Sequence, residues 1–239
     1  MPKTRKKRAT IQSVYYINLD RSTERKTHML NVFKHRFFDG LNVHRVPALY
    51  GKDPKFLSVL HDCKNVFVDK LNTASIYACT LSHIKAIQTF VQSGEEMALI
   101  CEDDLSMMFN PTKSQLDKCI RNAPHDWEIL QLFYFVENTL PERLYTENTI
   151  KKHYDPAVAY LINRKGAIRF LSDLIPENQI VFNASISPAA DKYLFSMMKT
   201  YVYKYPLFAS TMNDSTLHPT HLNMQRAYLK KIQHLLKKK

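Results

Sequence analysis

The sequence predicts an α/β protein with a largely parallel central sheet, and three observations support this fold class. Short apolar runs alternate with segments of helical periodicity, which is the order of strands and helices in βαβ units. One run, residues 97–101, is apolar at every position, as a strand buried on both faces requires. The 239 residues, of which 45% are hydrophobic, suffice for one large core, so we expect one folded domain.

The first half of the chain predicts three strands and two helices. Residues 14–19 are β-branched and aromatic, and a helix that Ser22 or Thr23 can cap follows them. Gly94 is placed to end the second helix. The expected elements are strands at residues 14–19, 42–46 and 97–101 and helices at residues 23–35 and 74–93.

The second half continues the alternation. A helix at residues 113–121 precedes a strand at residues 128–135, and a polar loop is expected through residue 148. The remaining elements are a strand at residues 157–162 and helices at residues 165–174 and 189–198.

The formal charge of +12 is concentrated at the two ends of the chain. Residues 1–10 hold five Lys or Arg and residues 224–239 hold six, with no acid in either segment. The sequence between them is nearly neutral, so the total charge does not require a nucleic-acid-binding face on the domain. We predict a basic disordered arm at residues 1–10, the folded domain at residues 11–223 and a basic amphipathic helix at residues 224–239.

The C-terminal segment has two interpretations. Tyr228, Ile232 and Leu235 are spaced as one face of a helix, and basic residues surround them. Such a helix fits an anionic membrane surface or a partner protein. It equally fits a helix whose apolar stripe packs on the domain and whose lysines face solvent. Binding of nucleic acid or an anionic surface through the tails is the alternative function that this charge supports.

Cysteine usage and the terminal sequence favour the cytoplasm. The four cysteines stand far apart and form no C-x-x-C pair, which argues against a structural zinc and favours buried free thiols. The charged N-terminus has no apolar h-region, and no run reaches the roughly 18 apolar residues of a membrane span. We therefore expect a cytoplasmic protein, with peripheral membrane contact through the tails as a further option.

Three consecutive acids, Glu102, Asp103 and Asp104, follow the apolar strand. Carboxylates in contact raise one another's pKa unless a cation compensates them, and Mg²⁺ or Mn²⁺ suits hard oxygen ligands. On an extended segment Glu102 and Asp104 point to one side, which makes them an acid-x-acid pair for a metal that binds diphosphate oxygens. The alternative is a solvated acidic turn that caps the next helix.

The sequence lacks a glycine-rich phosphate loop. It has only 4 Gly and neither G-x-x-x-x-G-K-[ST] nor G-x-G-x-x-G, so a metal would have to carry the phosphate charge of a nucleotide ligand. Arg21 and Arg25 stand four residues apart at the start of the first helix. They would assist with such an anion or else face solvent.

Six short motifs carry a family resemblance. They are VYYINLDRS at residues 14–22 with Arg25, ACTLSH at 78–83, LICEDD at 99–104, WEIL at 127–130, AYLI at 159–162 with Gly166 and Ala167, and ADKYL at 190–194. In this order and spacing they resemble glycosyltransferase family 25, the lipopolysaccharide-biosynthesis and procollagen galactosyltransferase family, over residues 13–210. One departure is Ala78, where the family usually has glycine.

The resemblance implies a GT-A type, Rossmann-like fold and transfer of a sugar from a UDP-sugar donor. It also implies Mn²⁺ or a similar ion and inversion at the anomeric carbon. Asn18, Leu19 and Arg25 would line the nucleotide site, and Ser82 and His83 would lie on a helix that faces the donor. The alternative for His83 is a structural histidine whose ring nitrogens are satisfied.

The same resemblance assigns roles to the acids. Glu102 and Asp104 would be the metal and donor-ribose acids of a DxD-like motif, with Asp103 close by. Asp191 would be the base that takes the proton of the acceptor hydroxyl, because an inverting displacement needs a carboxylate opposite the leaving UDP.

The segment STLHPTH, residues 215–221, adds two histidines. GT-A enzymes often complete the metal shell from such a segment, so His218 or His221 is expected as a further ligand. The alternative is a loop histidine of no special role.

The sequence thus predicts a metal-dependent hexosyltransferase that uses UDP-galactose or UDP-glucose. The expected acceptor is either hydroxylysine in a collagen-like protein or a sugar of lipopolysaccharide or another surface glycan. A non-catalytic family member that only binds is a further alternative.

Overall fold

The computed structural model describes residues 10–68, 71–135, 139–211 and 222–237. The strands are β1 (Ser13–Asn18), β2 (Asn42–Pro47), β3 (Met97–Glu102), β4 (Leu105–Ser106), β5 (Ile129–Gln131), β6 (Tyr145–Glu147), β7 (Ala159–Asn163), β8 (Thr200–Tyr203) and β9 (Ala209–Ser210). The helices are α1 (Thr23–Val32), α2 (Pro54–His61), α3 (Leu71–Ser93), α4 (Lys113–Asn122), α5 (Arg164–Leu174), α6 (Ala190–Met197) and α7 (Leu222–Lys237), with short 3-10 helices at Arg36–Phe38 and Pro176–Asn178.

Seven strands form one central sheet in the order β2-β1-β3-β7-β5-β8-β6. β1 pairs in parallel with β2 and β3, and β5 pairs in parallel with β8. β7 and β6 run against their neighbours, so five of the seven strands share one direction. A separate two-stranded sheet joins β4 to β9. The predicted α/β fold with a mainly parallel central sheet is confirmed.

Along each strand the side chains alternate between the two faces of the sheet. Helices cover both faces, so both are buried. On β1, Tyr16 points into a core with α1, α4 and α7, and Tyr15 points into a core with α2, α3, α5 and α6. This explains why residues 97–101 of β3 are apolar at every position. The four cysteines are free thiols, as expected.

Helix α7 packs on the domain through its apolar side. Leu229 and Ile232 are buried in the core, and the Tyr228 ring stacks on Phe135 with their centroids 5.6 Å apart. Lys230, on the other side, is exposed. The apolar stripe of this helix therefore packs on the domain, as the second interpretation of the segment expects. The predicted arm at residues 1–10 falls outside the described residues except for residue 10. Within the described ranges, every helix is too short or too polar to span a membrane.

Three local predictions differ from the structure. The strand expected at residues 128–135 ends at Gln131, because beyond it the backbone bonds to separate segments, as when Phe135 N–H donates to Asp155 O. Strand β6 lies in the expected polar loop and is held at the sheet edge by pairing with β8. Helix α2 was not predicted, although Asp53 caps it and Pro54 begins it in the usual way.

Candidate active site

A cavity of about 260 Å³ lies at the carboxyl ends of β1 and β3, between the start of α1 and the middle of α3. Ligands bind at this edge in open α/β sheets. The cavity is lined by most of the residues predicted to bind the donor: Leu19, Arg21, Arg25, Ser82, His83, Glu102 and Asp103. The structure thus brings together side chains from three separate motifs.

Asp103 is held by two partners from the first motif. Its Oδ1 accepts a hydrogen bond from Arg25 at 2.5 Å, and its Oδ2 accepts one from Asn18 Nδ2 at 2.8 Å. The Asn18 amide oxygen in turn accepts a hydrogen bond from Arg45 Nε at 2.9 Å, which fixes the orientation of the amide. Asn18 therefore lies behind the cavity and orients Asp103, whereas the resemblance placed it in the lining.

Burial lowers the pKa of Arg25, but the charges of Asp103 and its acidic neighbours outweigh this and raise the pKa above its ordinary value. Arg25 therefore stays protonated and carries a permanent positive charge beside the acids. This cation compensates part of the negative charge of the triplet.

Glu102 faces the cavity beside the buried His83. The Nε2 of His83 lies 3.3 Å from Glu102 Oε1, and its Nδ1 lies 3.0 Å from the hydroxyl of Tyr160 on β7. Both ring nitrogens thus have partners, so His83 lines the cavity as expected and is also fixed structurally. Ligand atoms of Cys79, His83 and Glu102 all lie within 4.8 Å of one another.

A second wall of the cavity is the loop containing Leu49, Tyr50 and Gly51, which is hydrogen-bonded to α3 and packs closely on it. The hydroxyl of Ser82 accepts a hydrogen bond from Leu49 N–H at 2.8 Å and donates to Ala78 O at 2.6 Å. Gly51 packs so closely on α3 that a Cβ there would meet the backbone of Ser75 at 2.3 Å. Arg21 stacks on Tyr50 of this loop, 4.4 Å from the ring centroid.

Asp104 is not among the residues that line the cavity, and its half-buried side chain contacts Ser210. Strand β3 ends at Glu102, and Asp103 and Asp104 form a turn before β4, so the alternation expected of an extended segment does not apply here. Asp104 Oδ2 accepts a hydrogen bond from Ser210 at 2.6 Å, and its Oδ1 is enclosed without a hydrogen-bond partner among the described residues. Burial raises the pKa of Asp104 to about 7, and the charge of Glu102 adds to the rise.

The predicted metal ligands His218 and His221 lie outside the described residues. The described chain stops just before their segment, at Thr211, whose N–H donates to Asp104 O at 2.8 Å. The expectation for these two histidines remains a prediction.

Asp191, the predicted base, lies in the first turn of α6 and belongs to a second cluster. Ligand atoms of Asp191, Asp155 and His153 all lie within 4.8 Å of one another. Burial raises the pKa of Asp191 to about 7, with further contributions from the charge of Asp155 and the hydrogen bond to it. Neither Asp155 nor His153 was singled out from the sequence.

The two clusters share one neighbour on α3. Burial raises the pKa of the Cys79 thiol well above its ordinary value, and the charges of Glu102 and Asp191 raise it further. The charges of both clusters therefore act on the same thiol.

Comparison with known proteins identifies the family. The sequence model described as glycosyltransferase family 25 (LPS biosynthesis protein) matches residues 11–183. The chain belongs to glycosyltransferase family 25. Proteins named "Glycosyltransferase 25 family member" are 23% identical over 237 residues in Drosophila pseudoobscura pseudoobscura and 24% identical over 245 residues in Aedes aegypti. A protein of the same name in Anopheles gambiae is 33% identical over 107 residues.

The family relatives are longer proteins. The alignments cover 94% and 96% of this chain but 37% and 39% of the Drosophila and Aedes proteins. The Anopheles alignment covers 42% of this chain and 18% of that protein. The chain thus spans less than half the length of these relatives.

Most of the site lies inside the region that the family model matches. The cavity lining and the acid triplet fall within residues 11–183, as do His153 and Asp155, whereas Asp191 follows it. Membership and the observed sheet confirm the GT-A type, Rossmann-like fold implied by the resemblance.

Sequence reasoning missed Tyr160, Ser210, Asp155 and His153. Tyr160 lies in a strand that was predicted, but only strand pairing shows that its hydroxyl reaches His83. Asp155 and His153 lie in a polar segment whose only signal was a histidine and an acid two residues apart. Ser210 lies in β9, a short strand without a local sequence signal, and the pairing of β9 with β4 brings it next to Asp104.

Proposed function

We propose that this protein is a metal-dependent, inverting glycosyltransferase that moves galactose or glucose from a UDP-sugar to a hydroxyl acceptor. The acceptor is hydroxylysine of a collagen-like protein or a sugar of lipopolysaccharide or another surface glycan. Membership in family 25 supports glycosyl transfer in general terms. The observation that carries the finer proposal is the acid triplet at the cavity, with a separate half-buried carboxyl group at Asp191.

The acids fit a hard divalent cation. Glu102 presents a carboxylate to the cavity, and Asp104 has an enclosed oxygen without a partner among the described residues. Asp103 is already bound by Arg25 and Asn18. Glu102 and Asp104 would therefore hold Mn²⁺ or Mg²⁺, with Asp103 orienting Arg25 beside them. When bound, the ion would stabilise the diphosphate that leaves.

The rest of the chemistry rests on this chain's own side chains. The loop containing Tyr50 and Gly51 forms one wall of the cavity and is held by the hydrogen bond between Leu49 and Ser82. It would therefore bind the nucleotide in a preformed site. Arg21 and Arg25 add positive charge on the phosphate side. Asp191 would take the proton of the acceptor hydroxyl as that oxygen attacks the anomeric carbon.

A thermal-shift panel tests the proposal. The full chain is measured with UDP-galactose, UDP-glucose, UDP-N-acetylglucosamine and GDP-sugars, each with and without Mn²⁺. We expect stabilisation by a UDP-hexose only when Mn²⁺ is present, and loss of this shift in Glu102→Gln. The matched control is Glu96→Gln, an exposed acid at the opposite end of β3, which should keep the shift.

Stabilisation that is indifferent to the metal and to Glu102→Gln would refute the donor and metal assignments. The donor that stabilises the chain in the presence of Mn²⁺ is then tested in a transfer assay. Release of UDP is measured with hydroxylysine peptides and with lactosyl glycans as acceptors. Metal-dependent binding without transfer to acceptor or water would favour a non-catalytic family member.

A further inference from the structure

The second carboxylate cluster contains two residues to which the proposed chemistry gives no role. His153 and Asp155 lie in the segment between β6 and β7, and Asp191 lies at the start of α6. His153 Nε2 is 2.7 Å from Asp155 Oδ1, and the carboxyl groups of Asp155 and Asp191 hydrogen-bond to one another. Two carboxyl groups in contact share a proton unless a cation compensates them.

Among the described residues, the groups that act on the charges of Asp191 and its neighbours come from three elements. The segment between β6 and β7 supplies Asp155 and His153, α3 supplies Cys79, and α6 supplies Lys192. Lys192 N–H donates to Asp191 Oδ1 at 2.8 Å, which fixes one carboxyl oxygen. The charge of Asp155 opposes ionisation of Asp191, and a positive charge on His153 favours it.

His153 also connects the cluster to solvent. Its side chain is 16% exposed and lines a cavity of about 230 Å³ together with Ser185, Ser187, Lys192 and Ser196. The Asp155 side chain is 45% exposed, and Asp191 is half-buried. Solvent therefore reaches the cluster at both His153 and Asp155, and the contacts of these two residues lead to the proposed base.

We propose that Asp155 and His153 are positioning residues that orient Asp191 and set the pH range in which it accepts a proton from the acceptor. The inference rests on the proposed function. In the step concerned, the acceptor oxygen bonds to the anomeric carbon and its proton moves to the Asp191 carboxylate. The bond from the anomeric carbon to the UDP oxygen breaks, and UDP leaves with the electron pair.

The pH dependence of transfer tests the inference. Because the base must be ionised, kcat falls as the pH drops through the pKa of Asp191. Asp155→Asn removes the negative charge that raises this pKa, so the acidic limb should move to lower pH by about one unit. His153→Gln removes the compensating positive charge, so the limb should move in the opposite direction.

The KM for the donor should stay unchanged in both variants, since neither residue lines the donor cavity. The control is Asp173→Asn, an exposed acid of α5 that pairs with Arg169, and its limb should coincide with that of the wild type. A uniform loss of rate at every pH, or shifts of the same sign in both variants, would overturn the inference.

A second measurement does not depend on turnover. The carbon-13 shift of the Asp191 side-chain carboxyl is followed against pH in the wild type and in Asp155→Asn. A lower midpoint in the variant supports the coupling even if no donor and acceptor pair gives transfer, in which case the proposed function alone fails. Identical midpoints would refute the coupling whatever the activity.

Discussion

The two acidic clusters of this protein are compensated in different ways. The triplet Glu102 to Asp104 is contiguous in sequence and lies beside the guanidinium of Arg25, which stays charged. Asp155 and Asp191 come from separate segments, and the imidazole of His153 lies 2.7 Å from Asp155. A permanent cation beside three acids suits the binding of a metal ion or a diphosphate. Two carboxyl groups beside an imidazole suit the exchange of protons.

The clusters also differ in what encloses their histidines. His83 is fully buried and has a partner at each ring nitrogen, whereas the His153 side chain is 16% exposed. Burial makes the first histidine a fixed element of the donor wall. The second histidine is in contact with solvent.

The largest effects should separate the two clusters by function. Asp191→Asn and Glu102→Gln should each lower kcat for transfer, by about 10²–10⁴-fold for loss of the base. Only Glu102→Gln should also abolish the Mn²⁺-dependent stabilisation by donor, because Asp191 lies outside the donor cavity. Paired measurements of kcat and of thermal shift test this. Equal loss of the donor shift in both variants would mean that the clusters form one site.

An intermediate effect is expected where the permanent cation is removed. Arg25→Met leaves the mostly buried carboxylate of Asp103 without its guanidinium partner. The free energy of unfolding should fall by about 1–3 kcal/mol, a range already lowered to allow for the partial exposure of the pair. Lys26→Met, at an exposed position of the same helix, should change it by less than about 0.5 kcal/mol. Urea unfolding of both variants gives the comparison. If both variants unfold at the wild-type urea concentration, Arg25 does not compensate the triplet.

The smallest effect concerns the enclosed carboxylate. Ser210→Ala removes the hydroxyl that donates to Asp104 and should lower the free energy of unfolding by about 1–2 kcal/mol without metal. Saturating Mn²⁺ should reduce this loss, because the proposed ion would compensate the same carboxylate. Ser196→Ala, at a half-buried position of α6, is the control. A loss independent of Mn²⁺ would remove Asp104 from the proposed ligand set.

Much of the fold was predictable because hydrophobic periodicity is local. The helices at residues 113–121 and 165–174 and the strands at 42–46 and 97–101 agree with the structure within about two residues at each end. Strands β6 and β8 were not predicted, since short strands form by pairing and carry little local signal. The strand expected at residues 128–135 was too long because residues 132–134 are apolar and buried although regular strand pairing ends at Gln131.

The sequence by itself determined the family, the α/β class and the location of the acid triplet after a buried strand. The family resemblance also assigned Arg25, Ser82 and His83 to the donor site, and all three line one cavity in the structure. Tertiary structure alone decided that Asp103 binds Arg25 and that Asp104 accepts a hydrogen bond from Ser210. It alone joined Asp155 and His153 to Asp191, since contacts between residues far apart in the chain exist only once the sheet has brought their segments together.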